Sequence, residues 1–245
     1  MTALPTRKLE AYRYADIDAL RDVWDGLAQP ERVEVAAQQR LQQICLPNGE
    51  EIDIRRIEMT LEAGATARIF ALNNAARYGR IELDVTLHED ADFSFNAANI
   101  GGHSATLEVV TTIRHVDPSA VSRQTVRSVL GGKAVGSYLG KVAVARDAQH
   151  TDSEQSVKAM LLDRGATANA KPELEIYADD VKCAHGATVG ELDANQLFYA
   201  AARGLPPATA KALLLEGFIG GLWDALGEDS EIAVRAREAL HEVTR

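Results

Sequence analysis

Apolar and polar residues alternate with a period of two through most of the chain between residues 51 and 192. Ile52 and Ile54 open the pattern, and Ile57, Met59 and Leu61 continue it. The same beat returns at Ile81, Leu83, Val85 and Leu87, at Phe93 and Phe95, and at Leu107, Val109, Thr111 and Ile113. It appears again at Val142 and Val144 and at Leu174 and Ile176. Alternation at this period puts one set of side chains on one face of an extended segment, so it predicts short strands. No ten-residue amphipathic run separates them, which argues against a βαβ fold. Residues 31–50 are ambiguous: Val33 and Val35 alternate like a strand, and Pro47-Asn48-Gly49 marks a turn. The β region is therefore placed at 31–192.

Helical spacing flanks it on both sides. In the lead-in, 1–30, Asp16 is a candidate N-cap for a helix carrying Ile17, Leu20, Val23, Trp24 and Leu27, and Pro30 ends it. In the C-terminal region, 193–245, Asp193 followed by Gln196 resembles a capping box for a helix to about Ala202. Arg203-Gly204-Leu205-Pro206-Pro207 breaks that helix, and Pro207 suits the first turn of the next. The stripe predicted on this second helix is Ala210, Leu213, Leu214, Gly217, Phe218, Gly221 and Leu222. Its glycines, Gly217, Gly220 and Gly221, each disfavour helix by about 1 kcal/mol against Ala, which suggests close approach of another backbone. A last helix spans about 230–243, with Ile232, Ala236, Ala239, Leu240 and Val243 on one face.

Composition narrows the choice of β architecture. The 245 residues are 46% hydrophobic and 25% charged, which excludes wholesale disorder. Only 5% are aromatic, and no Trp falls between Gly26 and Trp223, whereas a sandwich usually offers a bulky core aromatic. Many glycines and alanines in the β region are easier to reconcile with stacked coils, although no clean repeat of fixed period is visible. Sandwich, barrel and β-solenoid stay open at this point, with the solenoid favoured. A formal net charge of −10 argues against a nucleic-acid binder. No apolar run follows the basic residues near the N-terminus, so no signal peptide is expected, and the aliphatic stretch at 208–226 is too interrupted by charge to span a bilayer. Cys45 and Cys183, 138 positions apart, do not form a disulfide framework, and free thiols fit a reducing cytoplasm.

Most familiar chemistry is absent. The nearest approach to a phosphate loop, Gly136 to Val142, has three residues between its glycines instead of four and no Ser or Thr after Lys141. The chain has no G-x-G-x-x-G, H-E-x-x-H, C-x-x-C or G-x-S-x-G. One pair stands out. Cys183 and His185, two residues apart, share a face on a strand. A thiolate beside an imidazole suits a soft or borderline metal such as iron, or a nucleophile with its base, or simply a structural cysteine beside a satisfied histidine. Glu173 and Glu175 share a strand face and are expected to be solvated or packed at a coil edge. His103, His115 and His150 read as surface or turn residues, and Cys45, before a turn, reads as inert.

The longer context of the Cys-x-His pair resembles the SufB/SufD family of iron–sulfur cluster assembly scaffolds. The residues that carry the likeness run from Pro172-Glu-Leu-Glu-Ile-Tyr through Cys183-Ala-His185-Gly to Leu197-Phe-Tyr and Arg203-Gly204. Thr151-Asp-Ser-Glu-Gln155, Leu161-Leu162-Asp163 and Leu213-Leu-Leu-Glu-Gly-Phe218 extend it, and Pro5 to Tyr14 is similar to the family's N-terminal signature. The Cys-Ala-His-Gly form is that of the SufD branch. The resemblance implies a mainly β protein: a right-handed parallel β-helix with a short N-terminal helix and C-terminal helices. It implies a non-catalytic subunit that works with a SufB-like subunit and a SufC-like ABC ATPase, which would hydrolyse the ATP. A nascent cluster would form at the SufB–SufD interface, with His185 ligating iron and Cys183 accompanying it. No tightly bound cofactor is expected in isolation, only transient iron or an iron–sulfur cluster in the complex. Phe198, Arg203, Leu213, Leu214, Gly217, Phe218 and Trp223 would suit a surface that docks the ATPase, the alternative being that the glycine-rich helix packs against the chain's own β-core. Family members usually carry a helical domain before the β-helix, so the short lead-in suggests a short form. A Cys–His hydrolase or transferase and a purely structural subunit are the rival readings, and the sequence leaves open whether the isolated chain is a homodimer.

Overall fold

A computed structural model of the protein describes residues 4–27 and 29–244, so parts of the N-terminal lead-in, residues 1–3 and 28, lie outside the described residues. Twelve strands form among the described residues. They are β1 (Glu31–Val35), β2 (Arg40–Cys45), β3 (Ile52–Leu61), β4 (Thr66–Asn73), β5 (Tyr78–Leu87), β6 (Asp92–Gly101), β7 (Thr106–His115), β8 (Val121–Leu130), β9 (Val135–Val144), β10 (Asp152–Leu161), β11 (Thr167–Ile176) and β12 (Lys182–Glu191). Odd strands make one six-stranded sheet in the order β1-β3-β5-β7-β9-β11, and even strands make a second from β2 to β12. Every recorded pairing is parallel, and each links a strand to the one two places on in sequence. The chain thus winds a β-solenoid of six coils with one strand per sheet in each, which decides among the three architectures. The ambiguous stretch at 31–50 supplies its first coil.

Inward-facing residues of the two sheets meet in a thin core. Ile57, Met59 and Leu61, then Ile81, Leu83, Val85 and Leu87, pack against Ile69, Phe93 and Phe95. Alternation along each strand sends the intervening residues outward. One row of corners is built on left-handed backbone. Gln38, Gly64, Asp90, Ser119 and His150 all have φ between 55° and 65°. Each donates its backbone N–H to a carbonyl of the next coil, at Ala63, Glu89, Pro118, Gln149 and Asp180 respectively.

Helices cover the outer faces of the sheets. α1 (Ile17–Val23) begins where the sequence predicts, with the Asp16 carboxylate accepting from the N–H groups of Asp18 and Ala19. With Tyr12 and Trp24 it packs against Tyr78, Ile52 and Ile54 on the outside of the odd sheet. Beneath this strap lie Arg80 and Glu108, 1% and 0% exposed. α2 (Ala194–Ala202) is capped by Asp193, whose carboxylate accepts from Asn195 N–H. α3 (Pro207–Gly220) and α4 (Glu231–Val243) lie on the outside of the even sheet, where Leu215, Ile219, Leu222 and Trp223 meet Phe70, Leu72, Ile100 and Val129. No helix among the described residues is long and apolar enough to cross a membrane.

Three expectations change. The face of α3 turned to the sheet carries Ala210, Leu215 and Ile219, so the predicted stripe is split: Ala210 and Leu222 are buried, while Leu213, 52% exposed, Gly217 and Gly221 point away. The glycines of that helix face open space rather than a neighbouring backbone of this chain, since a methyl group at Gly217 or Gly220 would meet nothing within 4 Å. His115 is neither surface nor turn. It ends β7 on the inward parity and is 0% exposed. His103 and His150 are exposed turn residues, as expected.

Candidate functional site

β12 is the last strand of the even sheet and pairs only with β10. Register aligns Cys183 with Ser153 and His185 with Gln155. Ser153 and Gln155 are buried and face inward, so Cys183 and His185 occupy the inward face too. No further coil stacks over them among the described residues. Cys183 is half-buried against the edge of the core, and His185 is exposed at the open end of the solenoid. Strand geometry sets their Cα atoms about 6.6 Å apart, a span that a small metal cluster can bridge.

These two residues end two polar columns that run inside the solenoid. One follows Phe93, Ser122, Ser153 and Cys183, and the other follows Phe95, Gln124, Gln155 and His185. The first is a hydrogen-bonded file: His115 Nε2 lies 2.9 Å from Ser122 Oγ, which lies 2.9 Å from Ser153 Oγ. In the second, Tyr138 Oη reaches both Gln124 Oε1 and Gln155 Oε1, at 3.1 and 3.0 Å. Buried polar side chains need such partners, and here they are stacked directly behind the Cys-x-His pair.

Electrostatics separates the two cysteines. Burial pushes the Cys45 thiol up to about 11. Burial also raises Cys183, against a hydrogen bond from the Ser153 backbone that lowers it. Neither is an activated nucleophile, which would need a lowered thiol. Alkylation of the native protein by iodoacetamide is therefore expected to modify Cys183 slowly and Cys45 only once denaturant is added, as followed by peptide mass spectrometry. Modification of native Cys45 at the rate of Cys183 would contradict this ordering.

No group of three or more His, Cys, Asp or Glu side chains able to hold a metal ion occurs among the described residues. The open end holds one thiol and one imidazole, so a metal ion bound there would need further ligands from elsewhere. Glu173 and Glu175 do not join them: Glu173 pairs with Lys171, and Glu175 with Lys141 and Tyr177, on the outer face of β11.

Of the residues singled out in the C-terminal region, Phe198, Arg203, Leu213, Leu214 and Gly217 lie on a surface of α2 and α3, whereas Trp223 is buried and Phe218 partly so. Phe198 and Tyr199 are 77% and 62% exposed, and Arg203 stacks on the Tyr199 ring at 5.3 Å. Tyr199, Arg203, Leu205, Leu213 and Leu214 line a groove of about 470 Å³. Gly217 lies on the same exposed side of α3. Phe218 is partly buried against the helix–sheet cluster, and Trp223, 3% exposed, sits within it and supports the surface from beneath. Period-two reading does not pick out Ser122, Gln124 and Tyr138, and Ser153 and Gln155 enter it only within Thr151-Asp-Ser-Glu-Gln155; the register that stacks them behind the pair appears only in the folded chain.

Comparison with known proteins bears on this arrangement. The family described as "SUF system FeS cluster assembly, SufBD core domain" matches residues 32–218. An iron–sulfur cluster assembly SufBD family protein of Synechocystis is 34% identical over 160 residues, 65% of this chain and 35% of its own length. Iron–sulfur cluster assembly protein SufD of Escherichia coli is 29% identical over 201 residues, 80% of this chain and 47% of that protein. The chloroplastic protein ABCI7 of Arabidopsis thaliana is 34% identical over 161 residues, 64% of this chain and 34% of its own. The chain thus spans from about a third to about half the length of these curated relatives.

Proposed function

Because the chain belongs to the SufB/SufD family of iron–sulfur cluster assembly proteins, we propose that it is a SufD-like, non-catalytic scaffold subunit on which a nascent cluster is built. The observation that carries this reading is the open last coil, where Cys183 and His185 stand on the inward face with no further coil among the described residues stacked over them. A SufB-like subunit covers that end and contributes the remaining ligands. The cluster is cargo, held transiently in the complex and not by the isolated chain. Thiols that form no disulfide suit assembly in a reducing cytoplasm.

The exposed α2–α3 surface supports a second contact. Phe198, Leu213, Leu214 and the open side of Gly217 present apolar area beside Arg203, which suits docking of a SufC-like ABC ATPase. ATP-driven movement of that partner would shift the subunit and uncover the site between the two scaffolds. His185 provides an iron ligand through a neutral imidazole, and Cys183 a thiolate once metal displaces its proton.

The test is loading of the reconstituted three-component complex with ferrous iron and sulfide under anaerobic conditions. His185→Ala is expected to leave folding and complex formation intact and to lower bound iron and acid-labile sulfide about tenfold or more. Normal loading by this variant would overturn the ligand role and leave a structural subunit.

A further inference from the structure

Inward positions of the solenoid change character along its axis. In the even sheet the position that ends at His185 is Ile69 in β4 and Phe95 in β6, then Gln124 in β8 and Gln155 in β10. Gln124 and Gln155 are 1% and 0% exposed. An aliphatic core would be simpler at these rungs, because each buried amide must be matched by partners.

The partners are specific. Thr111 Oγ1 donates to Gln124 Oε1 at 2.7 Å. The Tyr138 hydroxyl lies 3.1 Å from Gln124 Oε1 and 3.0 Å from Gln155 Oε1, so its single proton goes to one of the two at a time. Gly140 makes room for this hydroxyl, since a Cβ at that position would lie 2.1 Å from Tyr138 Oη. Gln155 Nε2 donates to the Glu173 carbonyl at 3.3 Å, which together with Tyr138 fixes which end of the amide is oxygen. An amide oxygen has two lone pairs, and Tyr138 uses one. The next residue along the column, one strand spacing of about 4.8 Å outward and on the same face, is His185.

We propose that Gln155 is a positioning residue for His185: the exposed imidazole makes no hydrogen bond among the described residues, and a turn of its side chain toward the core lets Gln155 Oε1 accept its ring N–H, fixing one tautomer and leaving the lone pair of the other ring nitrogen for iron. Tyr138 holds the Gln155 amide in place from behind. This inference rests on the reading of His185 as a ligand of the assembling cluster, and it gives the polar columns a role that packing alone would not require. A ligating histidine whose second nitrogen is held in this way is preorganised, and loss of the holder weakens metal binding without removing a ligand.

The tautomer ratio of His185 tests it on the full-length chain without metal or partner. Long-range proton–nitrogen NMR of histidine-labelled protein at pH 8 reads the ratio, with the His185 signal assigned by its loss in His185→Ala. The parent chain is expected to show one dominant tautomer. Gln155→Met should move the ratio toward unity by about three- to tenfold, the range given by one neutral hydrogen bond. Tyr138→Phe, which keeps the ring, should move it in the same direction by less. An unchanged ratio in folded Gln155→Met, with folding checked by circular dichroism, overturns the proposal. If that variant does not fold, an unchanged ratio in Tyr138→Phe does so instead. The ligand role of His185 stands or falls separately, on loading of the complex.

Discussion

Arg80→Met is expected to lower the unfolding free energy by about 3–5 kcal/mol at pH 7, the usual result of stripping the partner from a buried charge. Arg80 and Glu108 point outward from β5 and β7, yet neither meets water, because the N-terminal strap lies over them. One Glu108 oxygen accepts from Arg80 Nη1 at 3.1 Å and from the Tyr78 hydroxyl at 2.5 Å. Arg80 also reaches Glu82 at 3.0 Å, and the Tyr12 ring sits over its guanidinium at 4.4 Å. Burial pushes the Glu108 carboxyl above its ordinary 4.5, while Arg80 and Tyr78 pull it down. Without Arg80 the upward push is less opposed. A carboxyl whose folded pKa lies above its unfolded value gains stability as pH falls through that window, because the folded state then binds the extra proton. The deficit of Arg80→Met should therefore be largest at neutral pH and shrink toward pH 4.5. Adding Glu108→Gln to Arg80→Met should recover most of the loss, since no charge stays buried and the amide oxygen still accepts the Tyr78 hydroxyl. Urea unfolding at several pH values measures all three. A loss below about 1 kcal/mol at neutral pH, or one that does not change with pH, would mean that the strap does not seal the pair.

This buried pair shows why the sequence is legible in some places and not in others. Strands β3, β5 and β7 are readable because their inward residues are large aliphatics, so period two stands out. β8 and β10 are harder to read, because Ser122, Gln124, Ser153 and Gln155 occupy the inward parity and invert the usual pattern. The repeat is hidden for two reasons. Paired residues are 26 apart at Asn73 and Asn99 but 29 at Asn99 and Ser128, 31 at Ser122 and Ser153 and 32 at Ser137 and Asn169. The left-handed corner that could mark each coil is a glycine only at Gly64, with Gln38, Asp90, Ser119 and His150 at the others. Arg80 and Glu108 read as solvated outward charges, and only the folded strap makes them interior. On α3, apolar residues surround the helix, so spacing alone could not choose between the face that carries Leu213 and the one that carries Leu215. The Cys-x-His pair was legible as a motif. Its position at an open coil was not, because that depends on which strand ends the stack.

His115 is hard to read for a related reason: a histidine suggests a surface or turn position, yet by parity it continues the run Leu107, Val109, Thr111, Ile113 by one more step. Its consequence is a large acid sensitivity. Burial holds its pKa down to about 4, against an ordinary 6.5. Nε2 contacts Ser122, while Nδ1 has no partner among the described residues. Above about pH 6.5 the ring is neutral in both folded and unfolded chains, and the group adds no pH dependence. As pH falls from 6.5 toward 4 the unfolded chain takes up a proton that the folded chain refuses, and stability is lost. The full loss is on the order of 3 kcal/mol. His115→Gln cannot take up that proton. It should be less stable than the parent at pH 7 by about 1–2 kcal/mol through imperfect packing, and should lose less on acidification, so that the two curves converge or cross by pH 4. A stability difference that stays constant between pH 7 and pH 4 would show that His115 titrates normally and is not sealed in the core. The comparison also bears on function. His115 lies in the same file of side chains as Ser122, Ser153 and Cys183, so acid acts on the coils that carry the Cys-x-His pair. If the chain loads a cluster as proposed and coil stability sets its acid limit, loading by His115→Gln should persist to lower pH than loading by the parent; a limit at the same pH in both would exclude coil stability as the cause.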